Sequence, residues 1–397
     1  MKTNKAYIKL TDKFSASNYH PLPVVLCRGK GAWVWDVEGN KYLDMLSAYS
    51  ALNQGHCHPK LVRALCNQAK LISLTSRAFH NDKMGLFLEK ICKLTGYEKG
   101  LPMNSGAEAV ETAIKVARKW GYRKKGVNKD CAEIIVCENN FHGRTTAIVG
   151  FSSEKQYRNG FGPFGPGFKI IPYNNTKALA KAINKSTVAF LVEPIQGEGG
   201  VIIPDDGYLA ECSEICRANN VLLIDDEIQT GLGRTGMLFA YEFENLRPDM
   251  VIIGKALSGG LYPVSAILCD NHIMDVLKPG EHGSTFGGNP LASAIAIAAM
   301  DVIIEEQLPE RAYHLGIWFL KELKKIKSPI IKDVRGKGLL IGIELKKKAR
   351  VYCEKLMANG ILAKETHDTV VRFAPPLVIK KQELKWALPR IQRVLKT

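Results

Sequence analysis

The sequence lacks any long run of apolar residues, and no stretch approaches the roughly 18 consecutive apolar side chains that a membrane-spanning helix needs. Its first residues, MKTNKAYIKLTDKF, have neither the apolar core of a signal peptide nor the Arg- and Ser-rich composition of a transit peptide. We therefore expect a cytoplasmic protein that no helix anchors in a membrane.

Closely spaced cysteine pairs are also missing. The ten cysteines are scattered with no C-x-x-C, and Cys212 and Cys216 lie four apart on a predicted helix, where two thiols seldom bridge. The triplet His56-Cys57-His58 lies in a turn, and no second ligand pair follows at zinc-like spacing. The pattern predicts reduced thiols and no metal site.

Acidic residues are fewer than basic ones, 39 against 55, so the formal net charge is +16. Such a charge is typical of a nucleic-acid binder or of a basic enzyme that acts on anionic substrates. The lysines cluster late, in KELKKIK, ELKKKAR and IKKQELK, with few interleaved aromatic residues. This pattern indicates solvated faces rather than a base-stacking surface, and it argues against nucleic-acid binding.

The length of 397 residues allows two or three domains. Residues 1 to about 30 have little periodicity, and a hairpin is predicted across Glu38-Gly39-Asn40. Strand and helix patterns then alternate, as in EIIVCEN, AFLVEP and the helix from Tyr208 to Ala218. We predict an N-terminal arm and hairpin over residues 1–48, a large α/β domain over 49–290 and a small α+β domain over 291–397. The large domain has a mostly parallel sheet with helices on both faces.

Two apolar runs in the middle of the chain end in charged residues. Residues 221–224 (VLLI) precede Asp225 and Asp226, and residues 250–253 (MVII) precede Lys255. Short runs rich in β-branched residues are typical of strands buried on both faces of a parallel sheet. Because functional groups collect at the carboxyl ends of such strands, we expect Asp226 and Lys255 to share one crevice.

The segment Gly231-Leu-Gly-Arg-Thr-Gly236 matches the glycine pattern of dinucleotide-binding sites. That pattern must directly follow its strand and open a helix, whereas here DEIQT intervenes and residues 237–243 do not begin a helix. We therefore reject a nicotinamide site, and we expect the glycines to form a loop close to a ligand.

Pyridoxal phosphate (PLP) is a cofactor that needs both a lysine, for its Schiff base, and an acid against its pyridine nitrogen. Lys255 and Asp226 suit these tasks, although each is also compatible with a plain charge at a strand end. A third feature is Ser105-Gly106-Ala107 before a strongly amphipathic helix. Ser105 alone suggests an N-cap, but together with Lys255 and Asp226 the segment predicts a phosphate site at a helix N-terminus.

The chain resembles the PLP-dependent aminotransferases of fold type I, subgroup III, over nearly its whole length. The resemblance lies in an ordered series of segments: NYHPLPVVL, SAYSALNQGHCHP, NSGAEAVETAIKVARKWGY, VEPIQGEGGVIIP, DDEIQTGLGRTG, GKALSGGLYPVSAIL, KPGEHGSTFGGNPL and RFAPPL. It implies a PLP-dependent transferase of fold type I that works as a homodimer with shared active sites.

The resemblance also implies a role for individual residues. Lys255 would carry the cofactor and then move the proton, and Asp226 would pair with the pyridine nitrogen. Around the cofactor ring and phosphate the resemblance places Phe141, Gln229, Ser105, Gly106, Ala107 and, from the other subunit, Thr285. His142 and Phe286 depart from the expected aromatic and tyrosine residues, which puts ring packing and phosphate binding in doubt. Ser105 replaces a common threonine but keeps the hydroxyl.

The implied reaction transfers the δ-amino group of L-ornithine to 2-oxoglutarate, giving glutamate 5-semialdehyde and glutamate. Tyr19, Tyr49 and Arg144 would hold the α-amino and α-carboxylate groups, and Glu198 and Arg372 would form a gated ion pair used in the second half-reaction. The alternatives are acetylornithine or 4-aminobutyrate as amino donor, an aminomutase on the same fold, and a basic binding protein that has lost catalysis. Tyr49 argues against acetylornithine and 4-aminobutyrate, because a free α-amino group needs a polar partner.

Overall fold

The computed structural model describes residues 3–396 as three β-sheets packed among helices. The strands follow the chain in this order: β1 (Leu26–Lys30), β2 (Trp33–Asp36), β3 (Lys41–Asp44), β4 (Lys99–Met103), β5 (Glu133–Cys137), β6 (Phe168–Ile171), β7 (Thr187–Val192), β8 (Leu222–Asp226), β9 (Met250–Ile253), β10 (Ser265–Cys269), β11 (Ile331–Lys337), β12 (Leu340–Leu345), β13 (Ile361–Leu362), β14 (Lys364–Thr366) and β15 (Val370–Phe373).

The helices surround these sheets and range from single turns to 17 residues. They are α1 (Asn4–Phe14), α2 (Ser47–Ser50), α3 (Pro59–Ala69), α4 (Met84–Thr95), α5 (Gly106–Trp120), α6 (Thr146–Gly150), α7 (Lys155–Arg158), α8 (Thr176–Ala182), α9 (Tyr208–Ala218), α10 (Asn271–Met274), α11 (Pro290–Glu305), α12 (Leu308–Lys324), α13 (Arg350–Ala358) and α14 (Lys381–Lys396).

The central sheet has seven strands in the order β4-β10-β9-β8-β7-β5-β6. Its core from β9 to β6 is parallel, and β10 runs antiparallel to both of its neighbours. Every residue of β7, β8 and β9 is buried, which is why these strands appear in the sequence as unbroken apolar runs. The predicted mostly parallel sheet with helices on both faces is confirmed.

The predicted hairpin is present as the antiparallel pair β2 and β3, in a sheet of order β1-β2-β3-β13. Strand β13 pairs in parallel with β3, so the N-terminal segment is bound to the C-terminal part of the chain. The sequence analysis missed helix α1, which begins after the N-cap Thr3. None of its residues is buried, although Tyr7, Leu10 and Phe14 recur at helical spacing and form a short apolar stripe that was overlooked in the sequence.

The C-terminal sheet is antiparallel, in the order β11-β12-β15-β14, and its helices are α12, α13 and α14. One large apolar core joins this part to α11 and to the central sheet, through residues such as Phe319, Phe373 and Val251. Within residues 3–396, no helix is long and apolar enough to cross a membrane. The cytoplasmic location stays a prediction.

Candidate active site

A cavity with about 670 Å³ of empty space lies at the carboxyl ends of β7, β8 and β9. Strand β8 ends at Asp226, Lys255 follows β9 after one glycine, and Glu193 directly follows β7. Parallel pairing of the three strands brings these side chains to one edge of the sheet. The cavity is lined by Gly106, Ala107, Phe141, His142, Gly143, Glu193, Ile195, Glu198, Asp226, Ile228, Gln229, Thr230 and Lys255.

Lys255 begins a short 3-10 turn and has a left-handed φ of 42°. Such a conformation is costly for a residue with a side chain and concentrates at functional sites. Burial lowers the pKa of Lys255, although the negative charges of Glu198 and Asp226 oppose the shift. A lowered pKa increases the share of neutral amine, the form that can attack a carbonyl carbon.

Asp226 is held by its neighbours in a defined orientation. One carboxylate oxygen accepts a hydrogen bond from the Ile228 backbone N–H at 3.1 Å, and the other lies 2.6 Å from His142 Nδ1. The His142 ring is buried, and although burial opposes a positive charge, the contact with Asp226 raises the pKa of His142. His142 therefore acts as a polar partner of Asp226 here, rather than as a substitute for an aromatic packing residue.

Glu193 is a buried carboxyl group that the sequence analysis did not select. It accepts a hydrogen bond from the Phe141 backbone N–H at 2.9 Å and faces the same cavity as Asp226 and Lys255. Burial raises the pKa of Glu193 to about 7, against the lowering effect of His142. Its place at the end of a buried strand is the same signal that selected Asp226, and it could have identified Glu193 too.

The N-terminus of α5 faces the cavity through Gly106 and Ala107, as predicted for a phosphate site. Ser105 is nevertheless the N-cap: its hydroxyl accepts from the Glu108 N–H, and Glu108 accepts from the Ser105 N–H. The N-cap interpretation of Ser105 is therefore confirmed, whereas its phosphate role stays a prediction: Ser105 does not line the cavity, although its hydroxyl still has a proton to donate. The backbone N–H groups of the first turn supply the positive end of the helix dipole.

Thr285 and Phe286 lie on an exposed loop and do not line the cavity of their own chain. The neighbouring Ser284 binds locally, since its hydroxyl accepts from the Asn104 side chain at 2.8 Å. Within one described chain, residues 3–396, Thr285 therefore makes no contribution to the cavity lining.

Glu198 and Arg372 form an ion pair beside the cavity, with Glu198 Oε1 at 2.5 Å from Arg372 Nη1. Gln229 bridges the pair, because its amide nitrogen lies 3.2 Å from Glu198 and its amide oxygen 3.3 Å from Arg372. Burial works against the charge of Glu198, but Arg372 outweighs it and lowers the pKa of Glu198. Arg372 is only 1% exposed, and in residues 3–396 its Nε and Nη2 atoms have no acceptor.

The three residues predicted to hold the substrate's α end lie around the cavity rather than in its lining. Tyr49 is packed against Arg372, whose guanidinium is 5.2 Å from the Tyr49 ring centroid. Arg144 is exposed and stacks on Tyr157 at 3.9 Å, with the Phe141 ring 5.5 Å away. Tyr19 is 75% exposed. Their roles stay predictions.

Gly231, Gly233 and Gly236 do not line the cavity, although Thr230 directly before them does, so the expected close approach of these glycines to a ligand is not seen there. A side chain at Gly233 would meet Pro309 and Leu377, and one at Gly236 would meet Tyr313. The glycines therefore allow the loop to pack against the C-terminal part of the chain. Arg234 within this loop, which the sequence analysis passed over, is completely buried.

These residues fit PLP. A lysine with lowered pKa, a carboxylate fixed by two hydrogen-bond partners, the flat apolar face of Phe141 and free N–H groups at a helix N-terminus all border one cavity. Together with the mostly parallel sheet, they define a PLP-dependent transferase of fold type I.

Comparison with known proteins specifies the family. The class-III aminotransferase family model matches residues 14–395, and the chain belongs to this family, whose members use PLP. An ornithine aminotransferase of Geobacillus sp. (strain WCH70) is 61% identical over 394 residues, covering 99% of both chains. The crystal structure of the ornithine aminotransferase from Toxoplasma gondii ME49 matches with a TM-score of 0.98 and 46% identity, covering 100% of this chain and 95% of the other. An acetylornithine aminotransferase structure from Elizabethkingia anophelis matches with a TM-score of 0.91 and 51% identity, covering 100% and 99%.

The raised pKa of Glu193 gives a test of the site's electrostatics in the protein without cofactor. Stability from a group whose pKa is raised on folding is complete below the unfolded pKa, here near 4.5, and is lost as pH rises through about 7. Glu193→Gln removes this dependence. The original chain then loses about 2 kcal/mol more unfolding free energy than the variant does when the pH rises from 5 to 8. Urea unfolding at both pH values measures this change. The exposed Glu214→Gln serves as control, and an equal pH dependence in the two variants contradicts the assignment.

Proposed function

We propose that this protein transfers the δ-amino group of L-ornithine to 2-oxoglutarate. The observation that carries the proposal is the ion pair of Glu198 and Arg372 next to the Lys255 cavity. A transaminase must bind two different substrates in turn at one site, and a carboxylate-covered arginine can be hidden from one and offered to the other. The names of the similar proteins support ornithine as the amino donor.

When bound, PLP supplies an electron sink that stabilises negative charge on the carbon that gains or loses the amino group. Lys255 provides the amine that carries the cofactor, and once free it is the base and acid that moves the proton. Asp226, fixed by Ile228 and His142, would face the pyridine nitrogen and favour its protonated form. Gly106 and Ala107 offer backbone N–H groups to the phosphate, and the Ser105 hydroxyl adds a donor.

In the first half-reaction, we assign the α end of ornithine to Tyr19, Tyr49 and Arg144. The Tyr49 hydroxyl is available to the free α-amino group, and the Arg144 guanidinium to the carboxylate. This binding places the δ-amine rather than the α-amine at the reacting centre. During this step Glu198 covers Arg372, so the strongest carboxylate-binding group nearby does not pull ornithine into the reversed orientation.

In the second half-reaction, 2-oxoglutarate brings two carboxylates to the site. The Nε and Nη2 atoms of Arg372 are buried and have no acceptor among residues 3–396, so they can form the bidentate contact that arginine makes with carboxylates. Desolvation offsets part of the attraction in the buried pair, and a substrate carboxylate that takes the place of Glu198 compensates for the lost contact.

The proposal predicts the preferred amino donor. The purified enzyme with PLP and 2-oxoglutarate turns over ornithine about 100-fold faster, in kcat/KM, than acetylornithine or 4-aminobutyrate, because only ornithine offers a free α-amino group to Tyr49. The product is a cyclic imine that o-aminobenzaldehyde detects. Faster turnover of acetylornithine identifies the runner-up activity, which the similarity to the Elizabethkingia anophelis structure favours. Reaction without any 2-oxo acid indicates an aminomutase instead.

The ion pair makes a second prediction. Glu198→Gln removes the negative charge that pairs with Arg372, so substrate carboxylates bind Arg372 in both half-reactions. Stopped-flow measurement of single half-reactions then gives a glutamate-to-ornithine rate ratio about ten-fold higher than in the original enzyme. The variant also begins to deaminate ornithine at its α-carbon. Glu138→Gln, an exposed carboxyl group after β5, is the matched control. An unchanged ratio in Glu198→Gln reduces the pair to a structural contact.

A homodimer with shared sites is also part of the proposal. It rests on the exposed loop of Thr285 and on the family to which the chain belongs. Lys255→Ala chains and Thr285→Asp chains are each inactive alone. In an equal mixture, half of the dimers are hybrids with one intact site of two, so the mixture regains about a quarter of the full activity. If exchange of subunits is verified by mass and no activity returns, Thr285 does not serve the partner's site.

A further inference from the structure

Residues Ser47 to Ser50, which form α2, turn in the left-handed sense. All four have positive φ, at 46°, 48°, 60° and 71°, and none is glycine. The left-handed conformation costs each non-glycine residue roughly 1 to 2 kcal/mol, and such residues normally adopt it one at a time and not in succession. The surrounding structure must therefore hold the turn in place. Tyr49, the third residue of the turn, is the one that packs against Arg372.

The first residue of the turn, Ser47, is fixed by three hydrogen bonds. Its N–H donates to Asp44 at 2.9 Å, and its hydroxyl donates to the Ala374 carbonyl at 2.7 Å. The same hydroxyl accepts from Arg234 Nη2 at 3.1 Å. Ala374 directly follows β15, the strand that carries Arg372, so Ser47 ties the turn to that strand.

Arg234 is the centre of this arrangement. Besides Ser47, its guanidinium donates to the Asn53 side chain at 2.5 Å, to the Pro375 carbonyl at 2.6 Å and to the Leu339 carbonyl at 3.1 Å. These acceptors come from three separate parts of the chain. Burial lowers the pKa of Arg234 to about 9, and no carboxylate contacts it in residues 3–396, so its charge is stabilised by neutral oxygens.

Arg234 also lies five residues after Gln229, which contacts both Glu198 and Arg372. One loop thus runs from the cavity wall to Arg234, which hydrogen-bonds to the left-handed turn and to the backbone after β15. A guanidinium has two forked ends that can hold several acceptors at fixed angles, whereas a lysine amine cannot reproduce this geometry.

We propose that Arg234 is a positioning residue for substrate selection, because it fixes the Tyr49 turn against the strand of Arg372. It touches neither substrate nor cofactor. Its effect reaches the substrate through Ser47 and Tyr49, and this inference rests on the proposed function, in which Tyr49 contacts the α-amino group of ornithine.

A matched pair of substrates isolates this effect. 5-Aminopentanoate has the same chain length and the same reacting amine as ornithine, but it lacks the α-amino group. The ratio of kcat/KM for ornithine to that for 5-aminopentanoate therefore measures recognition of the α-amine alone. The variants are Arg234→Lys, which keeps the charge, and Ser47→Ala, which removes only the hydroxyl link. Ser293→Ala removes an equally buried hydroxyl that has no partner among residues 3–396.

In Arg234→Lys and Ser47→Ala, the ratio falls about ten-fold, mostly through the KM for ornithine, because a displaced Tyr49 loses its contact with the α-amine. The dissociation constant for PLP and its absorbance spectrum stay as in the original enzyme, and Ser293→Ala changes none of these values. If Arg234→Lys does not fold, Ser47→Ala alone decides the matter.

Two results would overturn the inference. One is a ratio within about two-fold of the original enzyme in folded variants that hold PLP; the other is an equal loss for both substrates, which indicates a purely structural role. The original enzyme separates this failure from failure of the proposed function. If it shows no preference for ornithine over 5-aminopentanoate, the assignment of Tyr49 falls and the inference falls with it.

Discussion

The active site depends on charged groups that are kept out of water at one edge of the central sheet. Lys255, Asp226, Glu193 and Glu198 all line the same cavity, and Arg372 lies directly behind Glu198. Alone, each of these charges would be costly to bury. Together, opposite charges offset part of this cost. The same burial that makes folding less favourable lowers the pKa of Lys255 and raises that of Glu193 to about 7. Catalytic competence and the cost of burial therefore have one physical origin.

The parallel pairing of β7, β8 and β9 makes this clustering possible, and it was predictable from sequence. Buried parallel strands have an apolar pattern that needs no knowledge of their partners, and a charge at the end of such a strand must emerge at the same edge as its neighbours. Asp226 and Lys255 were identified on this basis. The same logic applies to Glu193, which directly follows the apolar strand in AFLVEP.

Features that depend on contacts distant in sequence were not predictable in the same way. Arg234 stands in a glycine-rich loop whose neighbours, Ser47 and Pro375, are 187 and 141 residues away in sequence. The left-handed turn at Tyr49 contains no glycine that would indicate it in the sequence. In each case the deciding energy comes from tertiary contacts, which override local preference.

The partner of the Asp226 carboxylate shows how a departure from the expected residue can bring a different interaction. His142 contacts Asp226 at 2.6 Å and is buried, so it gives the carboxylate a hydrogen-bond partner that a purely apolar ring such as phenylalanine would lack. A hydrogen bond to a charged group is stronger than one between neutral groups, and it fixes the carboxylate's orientation. The family resemblance alone left His142 as a doubt about packing, because its chemical role is visible only once the geometry of Asp226 is known.

In the proposed function, the ion pair of Glu198 and Arg372 is a switch that opens for a substrate and not a permanent contact. If its attraction were fully realised, no substrate carboxylate could compete for Arg372. Burial works against the charge of Glu198, and Gln229 hydrogen-bonds to both side chains in the closed pair. An incoming carboxylate meets two buried N–H groups of Arg372 that the closed pair leaves without acceptors. In the proposed function, the exchange replaces the Glu198 contact with a contact to the substrate carboxylate, so the state of the pair follows the substrate that is present.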